Sequence, residues 1–120
     1  MPWRVQVDSA VTELQVTPSL CVNDEELETQ AVLAGHGIGQ LSGIAAASHI
    51  RTGRLVPLLT AFVAEAASAF IYYGSRAAQP QRVRVFIDLA VKRLANNAEF
   101  VLTHKELTEA EARGRAASRQ

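Results

Sequence analysis

The segment from residue 80 to residue 94 carries the strongest pattern in the chain. Apolar residues recur there at helical spacing and form a wide stripe made of Val83, Phe86, Ile87, Ala90, Val91 and Leu94. Charged residues occupy the opposite face, and Pro80 suits the first turn of a helix because its missing N–H is not needed there. A helix with so wide an apolar face must cover it against another element or another molecule. The sequence therefore predicts a helix that requires a partner surface.

Extended segments open the chain. Trp3, Val5 and Val7 alternate with polar residues, which is the period-2 pattern of a half-buried strand. A turn is predicted at residues 8–10, and Leu14 and Val16 resume the alternation after it. Further strands are predicted for four apolar runs, at 20–22, 37–41, 54–59 and 69–73. Cys21 lies in the first of these runs, so we expect it to be a small buried core residue.

Helices are predicted between and after these strands. Asn23 or Asp24 caps a helix that runs to about Ala34, and Gly35 follows in the position that favours a left-handed residue. A second, alanine-rich helix is predicted at about 44–50. Alternation of strands and helices is typical of the α/β class. A capping-box sequence that begins at Thr103 predicts a last, short polar helix that frays toward the C-terminus.

Composition limits the functions open to the chain. Its 120 residues are 48% hydrophobic and 20% charged, which fits one folded unit. Lysine plus arginine equals aspartate plus glutamate, at 12 each, so no dense positive field is present to hold nucleic acid or an anionic membrane. No apolar run is long enough to span a bilayer, and the N-terminus does not read as a signal peptide. With a single cysteine, the chain is expected to be soluble and cytoplasmic.

No set of residues predicts catalysis, a metal or a cofactor. His36, His49 and His104 are scattered, and no second cysteine is present to complete a metal site. The glycine-rich stretch at 35–39 follows a predicted helix and precedes a predicted strand, the reverse of the order in a dinucleotide site. No nucleophile motif occurs either. We therefore predict that the protein is not an enzyme and needs no cofactor.

A series of motifs resembles the effector-binding domain of LysR-type transcriptional regulators. The motifs are, in order, Val22-Asn23-Asp24, then the stretch from Ala34 to Leu41, then Gly53-Arg54-Leu55-Val56-Pro57-Leu58-Leu59. The segment from Arg82 to Leu89 is similar to the last large helix of that family, and Trp3 stands where many members have a tryptophan. The order and spacing of these motifs over residues 3–107 carry the resemblance, which is to the C-terminal part of that domain.

The resemblance implies a partial periplasmic-binding-protein-like fold of type II. Residues 1–95 would form the second subdomain plus the returning C-terminal helix, and 96–120 would be a polar, partly helical extension. The DNA-binding domain and the first effector subdomain are expected to be absent, so no direct contact with nucleic acid is expected. The implied function is sensing of a small organic effector, such as a carboxylate, within the intact parent protein.

The resemblance also indicates where an effector would bind. Asn23 is expected to face the ligand cleft from a helix N-terminus, where backbone N–H groups favour a polar or anionic ligand; the alternative is that it merely caps the helix. Gly37, Ile38 and Ser42 complete the candidate effector site, although Ser42 is as well suited to start the second helix. The alternative function is a homo-oligomerising module without ligand binding, most simply a homodimer formed through the Val83–Leu94 helix.

Overall fold

The computed structural model describes residues 2–64, 70–72, 74 and 79–119. Two strands open the described part, β1 (Trp3–Val7) and β2 (Ala10–Leu14). The helices that follow are α1 (Glu25–Leu33), α2 (Gly43–Arg51), α3 (Gln81–Leu94) and α4 (His104–Ser118), with a 3-10 turn at Thr60–Phe62. Each predicted helix is present, and helices combined with a small sheet agree with a partial α/β fold.

The β1–β2 hairpin forms as its alternation predicts. The strands pair antiparallel with Val7 opposite Ala10, so Asp8 and Ser9 are the turn residues. Their φ angles are 48° and 69°, and a two-residue hairpin turn of the type I′ class requires positive φ at both positions. The outer edge of β1 is held by Gln40, whose Nε2 donates to the Arg4 carbonyl at 2.8 Å and whose Oε1 accepts from the Arg4 N–H at 3.0 Å.

The strands predicted at 20–22, 37–41 and 54–59 are absent from the structure, and this prediction is wrong. A strand persists only when its N–H and C=O groups pair with a neighbouring strand, and within the described residues β1 and β2 are the paired strands. Cys21 is consequently exposed rather than buried. The predicted strand at 69–73 lies partly outside the described residues, and 70–72, which are described, are not in a strand.

Local capping signals set the helix boundaries. Gly35 has a φ of 81°, as predicted for the residue that follows α1. Pro80 occupies the N-cap position of α3, one residue before the first turn that was predicted for it. The Thr103 side chain accepts from the Glu106 N–H, and the Glu106 side chain accepts from the Thr103 N–H, so the predicted capping box is present. The helix behind it is longer than predicted, since α4 spans 15 residues.

The core of the described chain is small and lies around α2 and α4. Ala46 and Ile50 of α2 and Ala110 of α4 are buried, and the partly buried leucines that pack against them are Leu41, Leu55, Leu102 and Leu107. α4 also contacts the 3-10 turn, and α1 contacts α2. The radius of gyration is 17.5 Å, whereas a compact domain of this length has about 14 Å. The chain therefore exposes much apolar surface.

Helix α3 accounts for a large part of that exposed apolar surface. None of its residues is buried, and the Phe86 side chain is 67% exposed. Of the predicted apolar stripe, Phe86, Val91 and Leu94 are exposed, and Val83, Ile87 and Ala90 are half-buried. None of the described helices is long and apolar enough to cross a bilayer.

Candidate functional site

Asn23 lies in the exposed bend before α1 and does not cap the helix. The cap is Asp24, whose Oδ1 accepts from the Glu26 N–H at 2.7 Å and from the Leu27 N–H at 3.3 Å. The reading in which Asn23 merely caps the helix is therefore wrong. Within the described part of the chain, the Asn23 amide makes no hydrogen bond, so its donor and acceptor are both available to a ligand.

Alanine substitutions at these two neighbouring positions are expected to differ in their effect on stability. Asp24→Ala removes the acceptor for two N–H groups and should lower the free energy of unfolding by about 1 kcal/mol. Asn23→Ala should change it by less than about 0.5 kcal/mol, because an exposed side chain without partners is removed. Urea unfolding followed by circular dichroism measures both, and a larger loss for Asn23→Ala would contradict this assignment of the cap.

Residues 37–42 form the loop between α1 and α2. Gly37 has a φ of 153° and open space around it, and the Ile38 side chain is 66% exposed. At Gly39 the loop approaches α1 closely, since an added Cβ would lie 2.9 Å from Val32 Cγ2. The loop thus rests on α1 through Gly39 and presents Ile38 to solvent.

Ser42 ends this loop and starts α2. Its Oγ accepts from the Ala45 N–H at 3.2 Å, which confirms the helix-starting role. The Ser42 N–H donates to Glu25 Oε1 at 2.6 Å, so a carboxylate from α1 already occupies the N-terminus of α2. The hydroxyl proton of Ser42 is left as a donor for another group. Its role in effector binding stays a prediction.

The structure therefore brings the first turns of α1 and α2 together through one carboxylate. Asn23 lies two residues before Glu25, and Ser42 receives the Glu25 side chain. The sequence does not single out Glu25, because an acidic residue in the first turn of a helix also matches the helix dipole, and Glu26 and Glu28 share that turn.

A buried carboxylate ties α4 to the 3-10 turn. Glu111 is 8% exposed, and its Oε2 accepts from the Thr60 hydroxyl and from the Thr60 N–H, the latter at 3.2 Å. Its Oε1 accepts from Arg115 at 2.7 Å. The Thr60 hydroxyl contributes most to holding the pKa of Glu111 below 4.5, against burial, which raises it.

These contacts predict loss of stability in acid. The pKa values of Glu111 and Glu106 lie below 4.5 in the folded chain, the latter chiefly through the Thr103 N–H. The unfolded chain therefore binds protons at these groups first as the pH falls. The contribution of the two groups to the free energy of unfolding is accordingly present above pH 4.5 and is lost below it. Urea midpoints on either side of pH 4.5 should show this loss, and the Glu106→Gln, Glu111→Gln double variant should give a flatter profile. Equal slopes for both chains would contradict the assignment.

Arg51 binds the segment that leads into α4. It donates from Nη1 to the Glu99 carbonyl at 3.0 Å, and from Nη2 to the carbonyls of Ala98 at 2.7 Å and Val101 at 3.0 Å. Its Nε also meets Glu106 Oε1 at 3.2 Å. Arg51 lines a shallow surface pocket of about 250 Å³ with Leu102, Glu109 and Arg113 among its walls. None of the candidate effector residues lines that pocket, and the contacts of Arg51 there are structural.

No group of three or more histidine, cysteine or carboxylate side chains within the described residues is arranged to hold a metal ion.

The sequence analysis did not predict the contact between Glu111 and Thr60. The signal in the sequence is the helical spacing of Leu107, Ala110 and Gly114, which indicates that this face of α4 packs against the protein. Glu111 is next to Ala110 on the helix.

Comparison with known proteins identifies the family. The family model of the LysR substrate binding domain matches residues 2–95. The HTH-type transcriptional regulator CrgA of Neisseria meningitidis is 31% identical over 97 residues, which cover 79% of this chain and 32% of that protein. An HTH-type transcriptional repressor of Pseudomonas aeruginosa is 27% identical over 101 residues, or 84% of this chain and 32% of the repressor. The chain thus spans about a third of the length of these relatives, and no solved structure matches it. The matched residues contain the motifs between Trp3 and Leu89, and the chain belongs to the LysR substrate-binding domain family.

Proposed function

We propose that the chain is the effector-sensing part of a LysR-type transcriptional regulator and that it binds a small organic molecule at Asn23 and the 37–42 loop. The family match over residues 2–95 carries this proposal. The relatives are transcriptional regulators by name, and the expectation that this chain is not an enzyme belongs to the same proposal. By family resemblance the fold is part of a type II periplasmic-binding-protein-like domain, in which a ligand closes two subdomains and so changes the geometry of the whole regulator. A cytoplasmic location and the lack of direct contact with nucleic acid belong to the same proposal.

The exposure of the candidate residues supports the choice of site, and the loop runs along α1 from Val32 at Gly39 to Glu25 at Ser42. The Asn23 amide is exposed and uncommitted, Ile38 offers apolar surface, and Ser42 retains a hydroxyl donor. Gly37 leaves open space beside Ile38. Small-molecule sites commonly combine apolar surface with a few such polar groups.

Glu25 bears on the charge of the effector. Its carboxylate accepts from the Ser42 N–H, which is where the carboxylate of a ligand would be favoured at the N-terminus of α2. A carboxylate effector would then displace Glu25 from this N–H. The Glu25→Gln variant is expected to bind such an effector more tightly, because the repulsion between the two carboxylates is removed.

A thermal-shift screen with small carboxylates tests the proposal. A binding compound should raise the Tm of the chain, since ligand that binds only the folded state stabilises it. The shift should disappear in Asn23→Ala, which keeps the cap at Asp24, and it should persist in the matched control Gln30→Ala on the exposed face of α1. A shift that is equal in all three chains would show that the compound binds elsewhere.

A second candidate function is self-association through α3. The observation that favours it is the exposed apolar stripe, since soluble monomers rarely leave such a surface uncovered. Replacing Phe86 and Ile87 together with serine should then convert a dimer into a monomer in light scattering. The control is Asp88→Asn with Lys92→Gln, on the charged face that the sequence predicts. A wild-type chain that is monomeric at low micromolar concentration would end this proposal.

A further inference from the structure

Helix α4 lies outside the residues that match the family, yet it supplies part of the core. The match ends at residue 95, and α4 spans His104–Ser118. Leu107, Ala110 and Glu111 are among its partly or fully buried residues, and Gly114, also partly buried, follows at the same helical spacing. An added Cβ at Gly114 would overlap Val56 Cγ1, so the helix lies directly against the 55–60 segment.

Two polar anchors hold α4 in this position. Glu111 accepts both the hydroxyl and the N–H of Thr60, within the buried contact between α4 and the 3-10 turn. Arg51 binds three carbonyls of residues 98–101 and the Glu106 carboxylate, and so fixes the start of the helix to the end of α2. Charge-assisted hydrogen bonds of this kind are directional, so they determine where the helix docks.

The loop at 37–42 shares its packing with α4. Leu41 packs against the buried cluster that contains Ile50 and Ala110. Its two neighbours make polar contacts to other elements: the Gln40 side chain pairs with the backbone of Arg4, and the Ser42 N–H donates to Glu25. The position of the loop therefore depends on these two polar contacts, on the close approach of Gly39 to α1, and on a buried cluster to which α4 contributes Ala110.

We propose that α4 is a docked strap whose contact with the protein holds the 37–42 loop in place, so that release of α4 and movement of the loop are linked. When α4 leaves, the cluster that Leu41 packs against loses Ala110, and the contacts of Gly39, Gln40 and Ser42 are left to hold the loop. Linkage is reciprocal, so a change in the loop also alters the docking of α4. The coupling itself is a property of the chain alone; its use in effector sensing rests on the proposed function.

Amide hydrogen exchange on the full isotope-labelled chain, read by NMR, tests the coupling in both directions. Glu111→Ala is expected to raise exchange at the N–H groups of Arg4 and Ser42 by at least about 5-fold, the lower end of measured couplings between sites. Val5 is the reference amide, because alternation along the hairpin turns its N–H toward β2 and away from Gln40. The matched control Glu109→Ala removes a carboxylate from the same helix, where the side chain is 58% exposed, and should leave all three amides unchanged.

The reverse arm perturbs the loop without touching the core. Gln40→Ala removes the contact with β1 and should raise exchange in the α4 amides by a similar factor. If Glu111→Ala raises exchange at Val5 as much as at Arg4 and Ser42, the variant has destabilised the whole chain. The Gln40→Ala experiment then decides whether the loop and α4 are coupled. The proposal is wrong if the exchange rates of the α4 amides do not change in Gln40→Ala. It is also wrong if the Arg4 and Ser42 amides stay protected in Glu111→Ala while the α4 amides exchange freely. If the chain shows the coupling but binds no carboxylate, the strap proposal stands and the effector-binding proposal is wrong.

Discussion

Replacing Arg51 with alanine is expected to lower the free energy of unfolding by about 2–3 kcal/mol, which is large for a single residue whose side chain is a third exposed. The guanidinium group binds the carbonyls of Ala98, Glu99 and Val101 as well as Glu106. Hydrogen bonds to charged groups contribute about 1.5–3 kcal/mol each. The total is smaller than their sum because water reaches the freed carbonyls. Urea unfolding followed by circular dichroism measures the loss.

Lysine at position 51 tests whether geometry or charge matters. A lysine ammonium cannot reproduce the planar fork that reaches three carbonyls at once, so Arg51→Lys should recover less than half of the loss. The matched control is Arg54→Ala, since Arg54 is exposed and, within the described part of the chain, its side chain makes a polar contact with the His49 ring alone. This control should stay within about 0.5 kcal/mol of the parent chain. Equal losses for Arg51→Ala and Arg54→Ala would show that Arg51 does not hold α4.

The helices were predictable because their signals are local. Asp24 and Thr103 cap helices with their own side chains, and Gly35 terminates α1 in the left-handed conformation, so a few neighbouring residues define each boundary. The hairpin was predictable for the same reason, since Asp8 and Ser9 join strands that are adjacent in sequence. Such features do not depend on where the rest of the chain lies.

The predictions of the other strands were wrong because the pairing of a strand with its neighbour is not determined by local sequence. The runs at 20–22, 37–41 and 54–59 are apolar enough for buried strands, but a sequence of apolar residues does not supply the neighbour that its N–H groups require. Cys21 was misplaced as a consequence, since its predicted burial depended on a sheet around it. The division of the chain at residue 95 stays a prediction, but α4 beyond it contributes Ala110 to the core.

The candidate site was predictable only as far as its position in the chain. The motif around Asn23 and the glycine-rich loop predict it, whereas the contact between Glu25 and Ser42 depends on how α1 and α2 pack. Glu25 and Ser42 are 17 residues apart, so no local sequence pattern predicts their contact. The same holds for Thr60 and Glu111, which are 51 residues apart.

Gly114→Ala is expected to destabilise the chain by about 1–2 kcal/mol, opposite in sign to the usual effect of this change. In a helix interior, alanine is ordinarily favoured over glycine by about 1 kcal/mol. Here the new methyl group would overlap Val56 Cγ1 and would also lie 3.0 Å from Cγ2 and 3.2 Å from Cβ. A valine side chain is stiff at its first torsion, so it cannot rotate away cheaply, and overpacking of this kind costs about 1–3 kcal/mol. Urea unfolding of the single variant gives the sign.

Shortening Val56 should reduce the loss. In a Val56→Ala background the two methyl groups nearest to the new Cβ are gone and the contact with the position 56 Cβ at 3.2 Å remains, so Gly114→Ala should cost at least about 1 kcal/mol less than in the parent chain. The double-mutant cycle then yields a coupling energy of at least about 1 kcal/mol between the two positions. Ala112→Gly on the exposed side of α4 measures the propensity difference in the same helix without the clash. If Gly114→Ala already stabilises the parent chain by that amount, then α4 does not lie against Val56, and both the close contact and the strap built on it are wrong.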